Sequence, residues 1–139
     1  MLTTTRSIVI HAPILKIHDV VLDFESYPKF FPEVRSVEVL SQSKKHAEVR
    51  FGIHLIKVIN CILKFDIALR KISWSLVKGD FMKHNSGRWE FEAKDGKGTQ
   101  VTYSIEVKPS AWIPSLLIEK HMTSLVPLML KHLKAKCEK

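Results

Sequence analysis

His121 and Tyr103, in this 139-residue chain, each pair a polar, titratable group with an apolar setting. His121 stands four residues after Leu117 and four before Leu125, beside an apolar helical stripe. Its imidazole could bond a carbonyl or hydroxyl oxygen, or move a proton near neutral pH. A histidine so placed also serves as a plain boundary between core and solvent. Tyr103 occupies an inward phase of the alternating run "TQVTYSIEV" (99–107). There its hydroxyl could meet a ligand oxygen or a backbone group. Other catalytic patterns are missing: the chain has no G-x-S-x-G, no H-E-x-x-H and no glycine-rich phosphate loop. His54 and Cys61 are too far apart for a close-spaced metal pair, and Cys137 stands alone near the end. No catalytic residue, metal site or cofactor is therefore expected. Both cysteines read as small residues without a special task. Arg50, Arg70, Arg88 and Asp66 fall in outward phases and read as solvated charges.

Those two residues must be held by the elements around them. "TTTRSIVI" (3–10) is short and β-branched, which predicts a strand. "PILKIHDVVLDF" (13–24) places Ile14, Ile17, Val21 and Phe24 at helical spacing, with Pro13 suited to the first helical position. Pro28 is expected to stop that helical region. Strict alternation follows in "VRSVEVL" (34–40), "AEVRFGIHL" (47–55), "ILKFDIALR" (62–70), "ISWSLV" (72–77), "GRWEFEA" (87–93) and residues 99–107. One apolar face per run is the pattern of a half-solvated antiparallel sheet. The inward positions include Ala47, Val49, Phe51, Ile53 and Leu55, then Leu63, Phe65, Ile67 and Leu69. Turn signals lie at "SQSKK" (41–45), "KGD" (78–80), "HNSG" (84–87) and "KDGKG" (94–98). The boundary within "IKVIN" (56–60) carries only Asn60 as a weak signal. Ile56, Val58 and Ile62 fall outward, which marks either a partner surface or a misplaced register, and the oligomeric state stays open.

Residues 110–139 predict a long helix. Ile118, Met122, Leu125, Met129 and Leu133 form its stripe, widened by Leu117 and Leu128. Pro114 fits the first turn. Pro127 removes a backbone hydrogen bond and crowds the carbonyl of Thr123, so a kink is expected there. An antiparallel sheet with one bare face needs a cover, and only this helix is long enough to supply it.

The totals set outer limits. Hydrophobic residues make up 45% and charged residues 26%, a globular composition suited to a single domain over 1–139. Lys and Arg total 22 against 14 Asp and Glu, leaving +8. Such a surface favours anionic partners. Two distant cysteines form no disulfide framework, and no long apolar segment is evident, so a cytoplasmic protein is expected, with peripheral membrane contact left open. The cations Lys120, Lys131, Lys134, Lys136 and Lys139 complement the dipole of the last helix. They would also suit an anionic membrane. RNA contact is a third reading, weakened by the lack of interleaved aromatics.

The runs "DFESYPKFFPEVRSVEVL" and "GRWEFEAKDGKGTQVTYSIEV", with the terminal amphipathic helix, resemble START-like proteins. More narrowly, the chain resembles the polyketide cyclase/dehydrase family, in the branch holding coenzyme Q-binding proteins and the ribosome association toxin. The resemblance covers nearly the whole chain. It implies an α+β helix-grip fold, in which a curved antiparallel sheet of about seven strands wraps a long C-terminal helix, with short helices after the first strand. It also implies a hydrophobic cavity between sheet and helix. Tyr27, Phe30 and Phe31, stiffened by Pro28 and Pro32, would then form a lid or floor, or else simply plug the core. Phe51, Ile53, Phe65, Trp74, Trp89, Phe91, Tyr103 and Ile105 would form the wall. Leu117, His121, Met122 and Leu125 would line the helix side. The expected space is about 300–1,000 Å³. Its expected occupant is a lipid, isoprenoid quinone or polyketide-like compound. Two alternatives stand beside this binding module. One is a cyclase or dehydratase using His121 or Tyr103 for proton transfer; the other is a protein that contacts the ribosome through its basic surface.

Overall fold

A computed structural model describes residues 1–54, 57–110 and 113–139. Strand β1 (Leu2–Ile10) leads into α1 (Ile14–Leu22), a single 3₁₀ turn (Phe24–Ser26) and the one-turn helix α2 (Tyr27–Phe30). Six strands follow: β2 (Val34–Gln42), β3 (His46–His54), β4 (Val58–Ile67), β5 (Lys71–Gly79), β6 (Met82–Lys94) and β7 (Gly98–Pro109). Helix α3 (Ser115–Cys137) completes the order. The strands form one antiparallel sheet in the order β1-β7-β6-β5-β4-β3-β2.

Alternation is strict where it matters. In β4, Ile59, Cys61, Leu63, Phe65 and Ile67 are buried, while Val58, Asn60, Lys64 and Asp66 are exposed. Register shifts in the β2–β3, β4–β5 and β6–β7 pairs mark bulges, which bend strands and raise local twist. The bent sheet curls its apolar face around α1, α2 and α3. Two apolar clusters result. The larger joins α1, Phe24, Tyr27 and Phe31 to the sheet and to Val126, Leu130, Leu133 and Cys137 of α3. The smaller joins Ile118 and Met122 of α3 to Val107, with Leu2, Ile105 and Ile113 packed on it.

Several boundaries differ from the sequence reading. β4 begins at Val58 and ends at Ile67, so Leu69, read as inward, lies 50% exposed beside the Ala68–Lys71 turn. "HNSG" is no turn; it lies inside β6, and the chain reverses at Asp80–Phe81. Pro28 sits inside the first turn of α2 instead of ending a helix, and Pro13 and Pro114 are N-cap residues of α1 and α3. α3 has 23 residues and runs through Pro127. Its buried line is Ile118, Met122, Val126, Leu130, Leu133 and Cys137, whereas Leu117 and Leu128 are 40% and 41% exposed. Leu125 and Met129 are only half-buried and line a hollow, Met129 also packing against the main apolar cluster. Val58 is exposed and Ile62 half-buried. Leu55 and Ile56 lie outside the described residues.

The far end of α3 is fastened to the first strand. The Lys134 ammonium donates to the Val9 carbonyl at 2.8 Å and to Glu138 at 2.6 Å, and Glu138 accepts the His11 N–H at 2.8 Å. These contacts, with the His11 amide foremost, hold the Glu138 carboxyl below its ordinary pKa. Thr99 donates its buried hydroxyl to the Ala12 carbonyl at 2.8 Å, which anchors the start of β7 to the same corner.

Candidate functional site

Between sheet and α3 lies a cavity of about 210 Å³. This is smaller than the expected range, because aromatic rings from α2 and five strands project into the space. Tyr27 and Phe31 come from α2 and the residue after it. Phe51, Phe65, Trp74, Trp89 and Tyr103 come from successive strands β3 to β7. The rings pack on one another in a chain: Phe51 stacks on Tyr27 at 5.9 Å, Trp74 lies 5.4 Å from Tyr103, and Trp89 meets Tyr103 edge-on at 4.7 Å. Ile53 and Ile105 lie among them, and His121, Met122 and Leu125 complete the α3 side.

Three residues anticipated for the lining are elsewhere. Phe30 is half-buried and packs edge-on against Tyr27 and Phe31, backing the floor without reaching the hollow. Phe91 is buried on the same sheet face but sits under α1, with its ring 6.1 Å from His18. Leu117 points to solvent from the first turn of α3. Conversely, the cavity touches residues the sequence pattern did not single out, among them Glu33, Ile59, Phe81, Met82 and Asn85. Ile59 could have been found had β4 been started at Val58, four residues before the Ile62 that opens the alternating run. Asn85 was hidden inside a segment that looks like a turn.

Trp74 owes its seat to Gly87 on the neighbouring strand. A Cβ on Gly87 would stand 2.4 Å from Cζ2 of Trp74 and 2.3 Å from the Ser104 carbonyl oxygen. The indole thus lies flat against bare backbone, which only glycine permits at this approach. It donates Nε1–H to the Asn85 side-chain oxygen at 3.0 Å. The amide nitrogen of Asn85 is left with the Met82 sulfur at 3.8 Å, a weak acceptor. A buried N–H donor of this kind faces the hollow with most of its capacity unused.

Two phenols differ in role. Tyr27 donates its hydroxyl to the Val21 carbonyl, tying α2 to α1. Burial pushes its pKa up, so the phenol stays neutral. Tyr103 is equally buried, and burial together with the Glu33 carboxylate raises its pKa as well. Among the described residues the Tyr103 hydroxyl makes no hydrogen bond, and it lines the cavity as an available donor. His121 turns its Nε2 toward the His54 carbonyl at 3.4 Å, bridging α3 to the end of β3. Among the described residues no group of histidine, cysteine and carboxylate side chains could hold a metal ion.

The lining residues that keep partial solvent contact mark the mouth. Ile53, Phe81, Met82, Pro109, Ile113 and His121 are of this type at one end, and Glu33, Ile105, Leu125 and Met129 are half-buried further along the lining. The first six gather where β3, β5 and β7 end, β6 begins and α3 starts. Lys57, Lys83, Lys108 and Lys120 are exposed at the same end, as are Leu116 and Leu117. At the other end of α3, Lys134 is bound to Val9 and Glu138, and Lys131, Lys136 and Lys139 are exposed. No helix among the described residues is long and apolar enough to cross a membrane.

Residues 10–134 match the family described as "Polyketide cyclase / dehydrase and lipid transport". No curated protein sequence matches the chain. Solved structures match across nearly its whole length. The Zhui aromatase/cyclase from a Streptomyces species superposes with a TM-score of 0.88 at 17% identity, covering 98% of this chain and 93% of that one. A START superfamily protein from Mycobacterium smegmatis gives 0.84 at 17% identity, covering 98% and 97%. A STAR-related lipid transfer protein from Xanthomonas axonopodis gives 0.82 at 16% identity, covering 99% and 86%. At these identities the likeness establishes the START-like helix-grip fold.

Proposed function

Because the chain belongs to the polyketide cyclase/dehydrase and lipid transport family, we propose that it binds an apolar small molecule carrying at least one polar oxygen. The observation that carries this reading is an aromatic-walled hollow with two underused donors, the Asn85 amide and the Tyr103 hydroxyl. Apolar burial supplies the affinity, at about 25 cal/mol per Å² removed from water. The donors orient the molecule, and a buried donor left unpaired penalises ligands that lack an oxygen. A dry apolar cavity of about 150 Å³ holds benzene. The present space of about 210 Å³ therefore suits a fused bicyclic ring or a short chain. A longer lipid, an isoprenoid quinone or a polyketide-like chain would lodge its ring or terminus inside and leave the remainder at the mouth.

The test compares 2-naphthol with naphthalene, read by quenching of Trp74 and Trp89. The phenol is expected to bind about fivefold tighter, one good hydrogen bond being worth about 1 kcal/mol. Tyr103→Phe with Asn85→Leu should erase that preference. Equal affinities for both probes in the wild type would remove the donor argument, and no binding of either would remove the reading altogether.

One observation favours a second reading as an enzyme. Glu33 and Tyr103 face the same hollow, a carboxylate beside a neutral phenol. Such a pair can accept a proton at one atom of a poly-β-keto substrate and support an oxygen at another. Aromatised product from a short poly-β-keto thioester, lost in Glu33→Gln, would establish it. Turnover that survives Glu33→Gln and Tyr103→Phe together would exclude this mechanism.

Loading from an anionic membrane fits the mouth, since Leu116 is 75% exposed there among exposed lysines. Co-sedimentation with phosphatidylglycerol vesicles, weakened by Leu116→Ser and Lys120→Glu, is expected. Binding to purified ribosomes and not vesicles would assign the basic surface to RNA.

A further inference from the structure

Phe81 is the one non-glycine residue among the described residues with a positive φ, at 59°. It is the second residue of the Asp80–Phe81 turn between β5 and β6. The left-handed region crowds the Cβ of a bulky L-residue against its own backbone. Tight hairpin turns normally carry glycine or asparagine at such a position. A turn that only reversed the chain would have no use for phenylalanine.

The surrounding bonds hold the strained conformation. Asp80 N–H donates to the Asn60 carbonyl at 3.0 Å, and Ser110 N–H donates to the Phe81 carbonyl at 2.9 Å. The turn is thus fastened to β4 on one side and to the exit of β7 on the other. Its side chain lines the cavity at the half-exposed end. The Lys57 ammonium stands 4.2 Å from the ring centroid, close enough for a cation–π contact. A ring placed at a backbone cost, clamped through both backbone and face, marks a site where strain serves a task.

We propose that Phe81 is the gate residue of the cavity: its ring, held across the mouth by the turn and by Lys57, retains the bound molecule and sets its rate of release. This rests on the binding reading of the preceding subsection. A gating ring and a merely structural ring make different demands on the same substitutions. Phe81→Ala and Phe81→Gly both delete the ring, but only glycine removes the left-handed penalty. For a gate, the two variants differ in stability and agree in release rate.

The experiment is stopped-flow release of 2-naphthol from the full chain, followed by Trp74 and Trp89 emission, alongside thermal melts. Both deletions are expected to release the probe about tenfold faster than wild type, since affinity changes at one site fall mostly on the off-rate. Phe81→Gly should melt above Phe81→Ala. Phe81→Tyr, which keeps the ring, should retain the wild-type rate. Lys57→Met should speed release without lowering the melting temperature. Wild-type release from Phe81→Gly, or release rates that rank with melting temperature across the set, would overturn the gate while leaving binding intact. Failure of the wild type to take up 2-naphthol would bring down both readings together.

Discussion

Replacing Gly87 with alanine tests how the Trp74 wall is built. The added methyl would lie 2.3 Å from the Ser104 carbonyl oxygen and 2.4 Å and 2.8 Å from two indole carbons. Ordinary contacts begin near 3.4 Å, so the indole or the strand must move by about 1 Å, a displacement that close packing resists. The indole can retreat only into the cavity. That movement breaks the Trp74–Asn85 bond, worth about 1 kcal/mol. Overpacking adds about 1–3 kcal/mol. The expected destabilisation is therefore about 2–4 kcal/mol, or a fall in melting temperature of roughly 8–15 °C for a chain of this size. Circular dichroism melts measure it, and tryptophan emission reports the displaced ring. Probe binding should fall with it, because the indole now fills the hollow. In a Trp74→Leu background the same change should cost at least about 1 kcal/mol less, the coupling expected of residues in contact. A Gly87→Ala protein melting within about 2 °C of wild type would refute the reasoning. An equal cost in both backgrounds would place the whole effect on Ser104 and not on the indole.

Alkaline pH supplies another check. Burial pushes the Cys61 and Cys137 thiols each up to about 11 from an ordinary value of 9.0. The unfolded chain then loses those protons before the folded chain does, so stability is complete below about pH 9 and declines through about pH 11. Urea midpoints across that interval should fall, and the fall should shrink in Cys61→Ala with Cys137→Ala; a pH-independent midpoint would count against buried thiols. At pH 8 both cysteines should resist a disulfide reagent until the protein is unfolded. Glu138→Gln weakens the clasp on His11 and Lys134, so amide exchange should quicken in the last turn of α3 and in the first residues after β1, with the middle of α3 unaffected.

The parts of the fold legible in the sequence are those where burial imposes a period. β3, β4 and β7 face the core with every second residue, and that pattern survives errors at their ends. Ends are set by turn chemistry, which misleads twice. "IKVIN" has too little of it to reveal where β4 begins. "HNSG" has the composition of a turn, yet it forms strand because Asn85 and Gly87 serve the Trp74 seat. The true reversal at Asp80–Phe81 places a bulky ring where local rules ask for glycine, and local rules break most often at functional positions. The walls of the cavity follow from inward phases, so most of the aromatic lining could be read directly. Phe91 obeys the same phase and still misses the hollow, because α1 covers it. Glu33 carries no periodic signal, lying between Pro32 and Val34, and only tertiary packing brings it beside Tyr103.

The strand order has a consequence for how the chain comes together. Strands β2 through β7 form a meander in which each strand pairs with its successor, so these pairings close over short loops. β1 waits: its neighbour is β7, with Leu2 opposite Val107 and Ile10 opposite Thr99. Closing a loop of about a hundred residues costs entropy that no local contact repays, and non-local pairings of this sort slow folding. During synthesis the nine-residue strand β1 must therefore remain unpaired until β7 has been made. Since α3 is moored to Val9 and His11 at the end of that same strand, the roof of the hollow can be secured only after the opening residues have found their place.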